Sequence, residues 1–308
     1  MPKIVISEFI DGDALATLQD RADVIFDAGL VDRPADLMDQ LANADALIVR
    51  NRTQVRGNLL EAGGKLRVVG RLGVGLDNID MDACKAREIE VIPAIGANAD
   101  SVAEYVITTA LLLYRPAYSA TAQVTAGAWP RQALIGREIG GRTLGLLGFG
   151  SIARRVAIKA KAMNMAILAY DPFVEDSDPV WAELGAAPGS FDDVIERADV
   201  VSLHLPLTPQ TANLMDRSVL ARMKQGTMVI NTARGGIIDE AALADLLADG
   251  HLGGAAIDVF AEEPLKAGSA LNDCPNLIAT PHIAGVTDES NARVGAMIAD
   301  RVLAALGS

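Results

Sequence analysis

Histidine is scarce in this chain. Only His204, His251 and His282 occur among 308 residues, which narrows any acid–base chemistry to a short choice. Cysteine is scarcer still. Cys84 and Cys274 are too few for a disulfide framework, have no metal-ligand spacing and suit a reducing compartment. A structural or catalytic metal is not expected, and a cytoplasmic setting is. Basic residues are outnumbered, 27 Lys and Arg against 40 Asp and Glu, giving a formal charge of −13. That balance argues against a nucleic-acid-binding surface or a polybasic membrane anchor, and an anionic small ligand would need a locally positive pocket. Long apolar runs are also missing. The longest, Tyr105–Tyr114, stops at Arg115 and falls well short of the roughly 18 residues of a membrane span. The opening MPKIVISEFI meets an acid at Glu8 and lacks the apolar core of a signal peptide, so no leader is expected.

What is present is an ordinary globular composition, 50% hydrophobic and 22% charged, at a length that suggests two domains. Short β-branched runs at Ile4–Ile6, Val24–Phe26, Ala46–Val49, Val68–Gly70 and Glu90–Ile92 alternate with amphipathic stretches at 13–21, 34–42, 59–63 and 81–87. This βαβ alternation predicts a parallel sheet covered by helices on both faces. Ser101-Val-Ala-Glu104 spells a capping box and predicts a helix starting there, which Pro116 should kink or end. A second series follows, with six strands expected at 143–147, 166–170, 200–203, 228–231, 254–258 and 277–280. Helices are expected between them at 151–163, 191–197, 218–223 and 240–249. The final helical pattern, 287–306, is surplus to this second series, and a return to the first domain is expected.

The strongest local motif is Gly145-Leu-Leu-Gly148-Phe-Gly150-Ser-Ile-Ala153, between a strand and a helix. In a dinucleotide-binding turn one glycine makes the tight turn, the next admits the pyrophosphate, and a third small residue lets helix and strand pack closely. Gly148, Gly150 and Ala153 fill those places. The N–H groups opening the helix would hold the phosphates. Asp171 ends the next strand, 23 residues after Gly148, where a carboxylate would bond a ribose 2′-hydroxyl and repel a 2′-phosphate. NAD is therefore expected over NADP.

Ligands in α/β sheets sit beyond the carboxyl ends of the strands. His204 and His282 both follow strands, whereas His251 follows Asp249-Gly250 and is expected to be exposed. Arg234, in Asn231-Thr-Ala-Arg234-Gly-Gly, is a rigid bidentate donor suited to a carboxylate. Two acids, Glu262 and Glu263, follow the strand before Pro264. Arginine, acid and histidine at successive strand ends beside a dinucleotide suit hydride transfer at an alcohol carbon next to a carboxylate.

With these residues in place, the chain resembles the D-2-hydroxyacid dehydrogenases, especially their phosphoglycerate dehydrogenase branch. The markers, in family order, are RLGVGLDNID at 71–80, SVAEYVI at 101–107, GLLGFGSIA at 145–153, SLHLPLT at 202–208, NTARGG at 231–236, DVFAEEP at 258–264 and PHIAG at 281–285. The resemblance implies an α/β, two-domain fold: a Rossmann dinucleotide domain, 97–284, inserted in a flavodoxin-like substrate domain, 1–96 and 285–308. It implies a catalytic triplet of Arg234, Glu263 and His282, the acid immediately before the proline being preferred over Glu262. Arg234 would bind the substrate carboxylate, His282 would exchange the hydroxyl proton, and Glu263 would orient the imidazole and favour its protonated form. Asp258 would help hold the nicotinamide carboxamide and His204 would sit near the cofactor. The remaining cofactor contacts implied are Phe149, Ser151, Ile152, Pro206, Thr211, Thr232 and Ala233, with His282 itself also beside the cofactor. The backbone of Val74 and Gly75 would give a second grip on the carboxylate. A homodimer through the cofactor domain is implied, with 101–129 as the contact.

Arg50-Asn-Arg52-Thr53, after the third strand, resembles the basic corner with which phosphoglycerate dehydrogenases meet phosphate. A small hydroxy acid with a second anionic group is therefore expected, 3-phosphoglycerate or 3-sulfolactate. VISEF, VRNRTQV and PHIAGVTDESN look more like the sulfolactate dehydrogenases of the family, and Val286 stands where phosphoglycerate dehydrogenases usually have Ser. Glyoxylate or hydroxypyruvate reduction is an alternative within the family. A dinucleotide-sensing corepressor role, in which partner binding replaces turnover, is the alternative from another class.

Overall fold

Twelve strands form two sheets in a computed structural model whose described residues are 1–307. Every strand pair in both sheets is parallel. The first sheet contains β1 (Lys3–Ile6), β2 (Asp23–Phe26), β3 (Ala46–Val49), β4 (Val68–Arg71) and β5 (Glu90–Pro93), in the order β2-β1-β3-β4-β5. That is the flavodoxin-like order, which reverses direction between β1 and β3. The helices between these strands are α1 (Gly12–Gln19), α2 (Pro34–Leu41), α3 (Gly57–Ala62) and α4 (Met81–Ala86).

The second sheet is built from β6 (Thr143–Leu147), β7 (Ala166–Tyr170), β8 (Ala186–Pro188), β9 (Val200–Leu203), β10 (Thr227–Asn231), β11 (Leu252–Ile257) and β12 (Leu277–Ala279). Its order, β12-β11-β10-β9-β6-β7-β8, reverses between β6 and β9, as in a doubly wound dinucleotide-binding fold. The helices that accompany it are α5 (Ala99–Tyr114), α6 (Thr121–Thr125), α7 (Ser151–Ala162), α8 (Val180–Leu184), α9 (Phe191–Arg197), α10 (Arg217–Leu220) and α11 (Glu240–Ala248). The last helix, α12 (Asp288–Leu306), packs on α1 and β4. The chain accordingly divides into one unit of Met1–Asn98 plus the stretch from Val286 onward, and a second unit of Ala99–Gly285.

Each strand feeds two cores. In β1, Ile4 and Ile6 join α1 and α12 on one face, while Val5 joins Leu37, Leu41 and Leu60 on the other. Burial on both faces is why β3 reads Ala-Leu-Ile-Val with no polar break. Each such fully buried Leu or Ile contributes roughly 1.5–3 kcal/mol. Gly70 lets α12 lie close on β4, because a Cβ there would stand 2.8 Å from side-chain methyls of Ile298 and Val302. Thr287 caps α12 in a reciprocal box with Ser290.

Three expectations need correction. The second sheet has seven strands, not six. The missed β8 is a three-residue edge strand ending in proline, too short to show a period. Ser101 is not an N-cap, because α5 begins at Ala99 and buries Ser101 in its first turn. His251 is half-buried rather than exposed, with Nε2 enclosed. The compact units meet in the chain at 98/99 and 285/286. The ending at Pro116 holds: α5 stops at Tyr114 and a 3₁₀ turn, Pro116–Ala120, follows.

Candidate active site

The reversal point of the second sheet is formed by the turn after β6 and the chain leaving β9. Gly148 sits there at φ +91, and a Cβ on it would meet the carbonyl oxygen of His204 at 2.6 Å. Only glycine fits both demands. Gly150 opens α7, and a Cβ there would meet nothing within 4 Å, so the space beside its backbone is open. The first main-chain bond of α7 is Arg154 N–H to Gly150 O, 3.0 Å, leaving the N–H groups of Ser151, Ile152 and Ala153 without an intrahelical acceptor. A helix N-terminus with open space before it is suited to a pyrophosphate.

Asp171 accepts from the N–H of Phe149 (2.7 Å) and of Phe173 (2.9 Å), so it fixes the glycine turn. Phe149 itself serves the core. Its ring is fully buried and stacked on Trp181, 4.4 Å between centroids, and its N–H is taken by Asp171. Thr211 likewise spends its hydroxyl on the main-chain oxygen of Pro206, 2.6 Å, closing the 206–211 turn with Thr208. Thr232 is different: its Oγ1 is buried without a partner, an orphan acceptor and donor of the kind a bound cofactor would satisfy. The open glycine turn, the helix N-terminus and this hydroxyl fit a dinucleotide.

The loop carrying Arg234 is held rigidly. Buried Asn231 accepts from Ala233 N–H (3.0 Å) and donates to Arg234 O (2.8 Å). Gly235 passes so close to the next loop that a Cβ would lie 1.8 Å from Phe260 O. That next loop bears Glu263, whose Oε1 accepts from Phe260 N–H at 3.1 Å. Glu240 braces it further, accepting from Ala261 N–H at 2.7 Å.

His282 and Glu263 meet at 2.8 Å, Nδ1 to Oε2, and both stay open to solvent at 38% and 33% exposure. A carboxylate accepts, so Nδ1 carries the hydrogen and Nε2 is the atom left to exchange a proton with a ligand. The backbone of His282 is left-handed at φ +54, an uncommon state for a non-glycine residue. It is held by N–H bonds to Asp258 O (2.8 Å) and Thr280 O (3.0 Å). Asp258 is 1% exposed and receives Thr280 Oγ1 (2.6 Å), Ile283 N–H (2.8 Å) and Ala284 N–H (2.8 Å). The residue expected at the nicotinamide carboxamide is thus the anchor of the His282 loop.

His204 bonds Ser202 Oγ at 3.0 Å through Nε2, and burial pushes its pKa from 6.5 to about 4. It is neutral near pH 7, which removes it from proton transfer. The same burial predicts a stability effect. An unfolded chain takes up this proton below pH 6.5, whereas the folded one resists until about 4. The stabilisation is full above pH 6.5 and declines as the pH falls through that window, by roughly 3 kcal/mol at most. Thermal unfolding followed from pH 7.5 to 4 should show this decline, and His204→Gln should flatten it. An unchanged slope in the variant would assign the decline to other groups.

In the first unit the basic corner lies beyond the reversal between β1 and β3. Glu8, after β1, accepts from the N–H groups of Arg50 (2.9 Å), Arg52 (3.2 Å) and Thr53 (3.0 Å). Asn78 donates to Arg50 O (3.1 Å) and Thr53 O (2.7 Å) from the other side. The two arginines differ sharply. Arg52 is 58% exposed and ion-paired to Asp32. Arg50 is half-buried, its guanidinium 5.5 Å from the Phe9 ring centre and bonded to Asn291 Oδ1 (3.1 Å), with no carboxylate paired to it among the described residues. Burial pushes the Arg50 guanidinium below its usual pKa, while Asp32 pushes that of Arg52 up. Val74 and Gly75 follow β4, the neighbouring strand, on the same edge. Glu8, Asn78, Tyr105 and Asn291 lie inside the quoted motifs and Glu240 outside them, but none had a role assigned, since each acts through a partner distant in sequence.

A doubly wound sheet with this turn, and an arginine and a histidine–glutamate pair at its strand ends, defines an NAD-dependent oxidoreductase. Comparison with known proteins is specific. Residues 107–284 match the model of the D-isomer specific 2-hydroxyacid dehydrogenase, NAD binding domain. The chain is 54% identical over 307 residues to an (S)-sulfolactate dehydrogenase of Chromohalobacter salexigens, covering 100% of this chain and 99% of that protein. It is 40% identical over 308 residues to a D-3-phosphoglycerate dehydrogenase of Mycobacterium leprae, covering 99% of this chain but 57% of that longer protein. Among solved structures, the TT0316 protein of Thermus thermophilus superposes with a TM-score of 0.90 at 31% identity, covering 99% of this chain and 97% of the other. The chain belongs to the D-isomer specific 2-hydroxyacid dehydrogenase family and uses NAD. No described helix is long and apolar enough to cross a membrane, and no group of metal-ligating side chains occurs among the described residues.

Proposed function

We propose that this enzyme oxidises (S)-3-sulfolactate, with Arg234 binding the carboxylate, His282 exchanging the hydroxyl proton through Nε2, and Glu263 orienting the ring. NAD, when bound, supplies the hydride acceptor. The observation that carries the substrate reading is the half-buried Arg50 guanidinium, which has no carboxylate partner among the described residues. Around it, Arg52 is offset by Asp32, and Glu8 lies beneath both main-chain N–H groups. That leaves little positive charge to spare, which suits a singly charged sulfonate better than a phosphate carrying about −1.5 to −2. The 54% identity to a sulfolactate dehydrogenase along its whole length supports the same choice. Val74 and Gly75 offer main-chain N–H groups for the carboxylate.

A homodimer in the cytoplasm is part of this reading. Tyr118 and Trp129, more than 70% exposed between α5 and β6, supply an apolar surface that a second copy would cover, and both cysteines are unpaired.

Initial rates with NAD and NADP against 3-sulfolactate, 3-phosphoglycerate, D-lactate and glycerate test the reading. Sulfolactate with NAD should have the highest kcat/KM. A higher value for phosphoglycerate would overturn the sulfonate assignment, and turnover of none of them would favour a sensing role.

A further inference from the structure

Thr280 has one hydroxyl hydrogen, and it goes to the carboxylate of Asp258, Oγ1 to Oδ1 at 2.6 Å. A second hydroxyl lies 2.6 Å from the same oxygen, that of Tyr105 on α5. Because Thr280 has already given its hydrogen to an acceptor, Tyr105 must be the donor in this second bond. The result is a one-way chain, Tyr105 O–H to Thr280 Oγ1–H to Asp258, in which each bond polarises the next. Burial pushes the Tyr105 hydroxyl above its usual pKa and so keeps it a donor.

The far end of this chain is the loop that carries His282. Asp258 holds that loop by the N–H groups of Ile283 and Ala284 with its side chain, and by the N–H of His282 with its main-chain oxygen. The loop needs such restraint because His282 is left-handed, a conformation that its own backbone disfavours. A helix outside the strand-end cluster is therefore linked to the main chain of the His282 loop, through Thr280 and the Asp258 carboxylate to the N–H groups of Ile283 and Ala284. The Tyr105 hydroxyl bonds Thr280, and the His282 ring bonds Glu263.

We propose that Tyr105 is a positioning residue for proton transfer, fixing the place of His282 through Thr280 and Asp258. The proposal rests on reading His282 as the proton-exchanging group. Tyr105→Phe removes only the hydroxyl and keeps the ring in its core. It should lower kcat about tenfold while leaving KM for NAD and for the hydroxy acid within about twofold, since ground-state binding does not depend on the imidazole's exact placement. Thr280→Val should give the same loss, Thr280→Ser should restore it, and the Tyr105→Phe/Thr280→Val pair should lose no more than Thr280→Val alone. A kcat for Tyr105→Phe within about twofold of wild type would overturn the proposal. So would a loss that Thr280→Ser shares, or one matched by rises in both KM values, because either would mark a general packing defect. His282→Gln measured alongside separates the two ideas. If it is inactive while Tyr105→Phe is unimpaired, only the positioning role fails. If it retains wild-type kcat, the reading of His282 fails and the positioning role with it.

Discussion

His282→Gln is expected to lower kcat by about 10²–10⁴-fold while NAD binding, followed by fluorescence titration, changes little. Three histidines are present, and the geometry leaves one for the chemistry. His204 has a pKa near 4 and commits Nε2 to Ser202. His251 has its Nε2 enclosed. Only His282 combines exposure, a carboxylate on Nδ1 and a left-handed loop pinned from three sides. Glutamine retains a polar group of similar reach but cannot cycle a proton, so the loss should appear in kcat. A variant retaining more than a tenth of wild-type kcat would place the proton elsewhere. Glu263→Gln should fall between the two, because the amide still meets Nδ1 while the countercharge is gone.

Both sheets were legible in the sequence because parallel strands buried on two faces are written as unbroken apolar runs. Ala46–Val49 and Thr143–Leu147 were placed to the residue for that reason. The Ala186–Pro188 strand escaped because three residues at a sheet edge carry no period. In the site, Gly148, Arg234, Glu263 and His282 stood out because their motifs are local: a turn, a strand end, an acid before proline. The roles of the groups that hold the site loops were not legible. Glu8 reaches across to 50–53, Asn78 grips the same loop from the other side, and Tyr105 meets Thr280 across 175 residues. Such contacts are fixed by sheet order, which the sequence states only indirectly. Phe149 carries a core role that its motif position did not announce: its ring stacks on Trp181.

The arginine pair is where sequence and structure assign different weights. Sequence treats Arg50 and Arg52 alike, and Arg52 is the natural first choice for substitution. In the structure Arg52 is exposed and its charge is met by Asp32, so a ligand would have to compete with an existing ion pair in high dielectric. Arg50 has already given up part of its hydration, lies over Phe9 and has only an amide oxygen as a polar side-chain partner. An arriving anion there gains a charge-assisted bond without displacing a carboxylate. Arg50→Ala should therefore raise KM for sulfolactate by about 10- to 100-fold, corresponding to roughly 1.5–3 kcal/mol for a bond to a charged group. D-Lactate, which has a methyl group in place of the second anion, should be turned over almost as before. Arg52→Ala should change the sulfolactate KM by only a few-fold, and that change should shrink as salt is raised. If Arg52→Ala is the more damaging of the two, the ion pair with Asp32 must break on binding, and the charge argument favouring a sulfonate over a phosphate would fall with it.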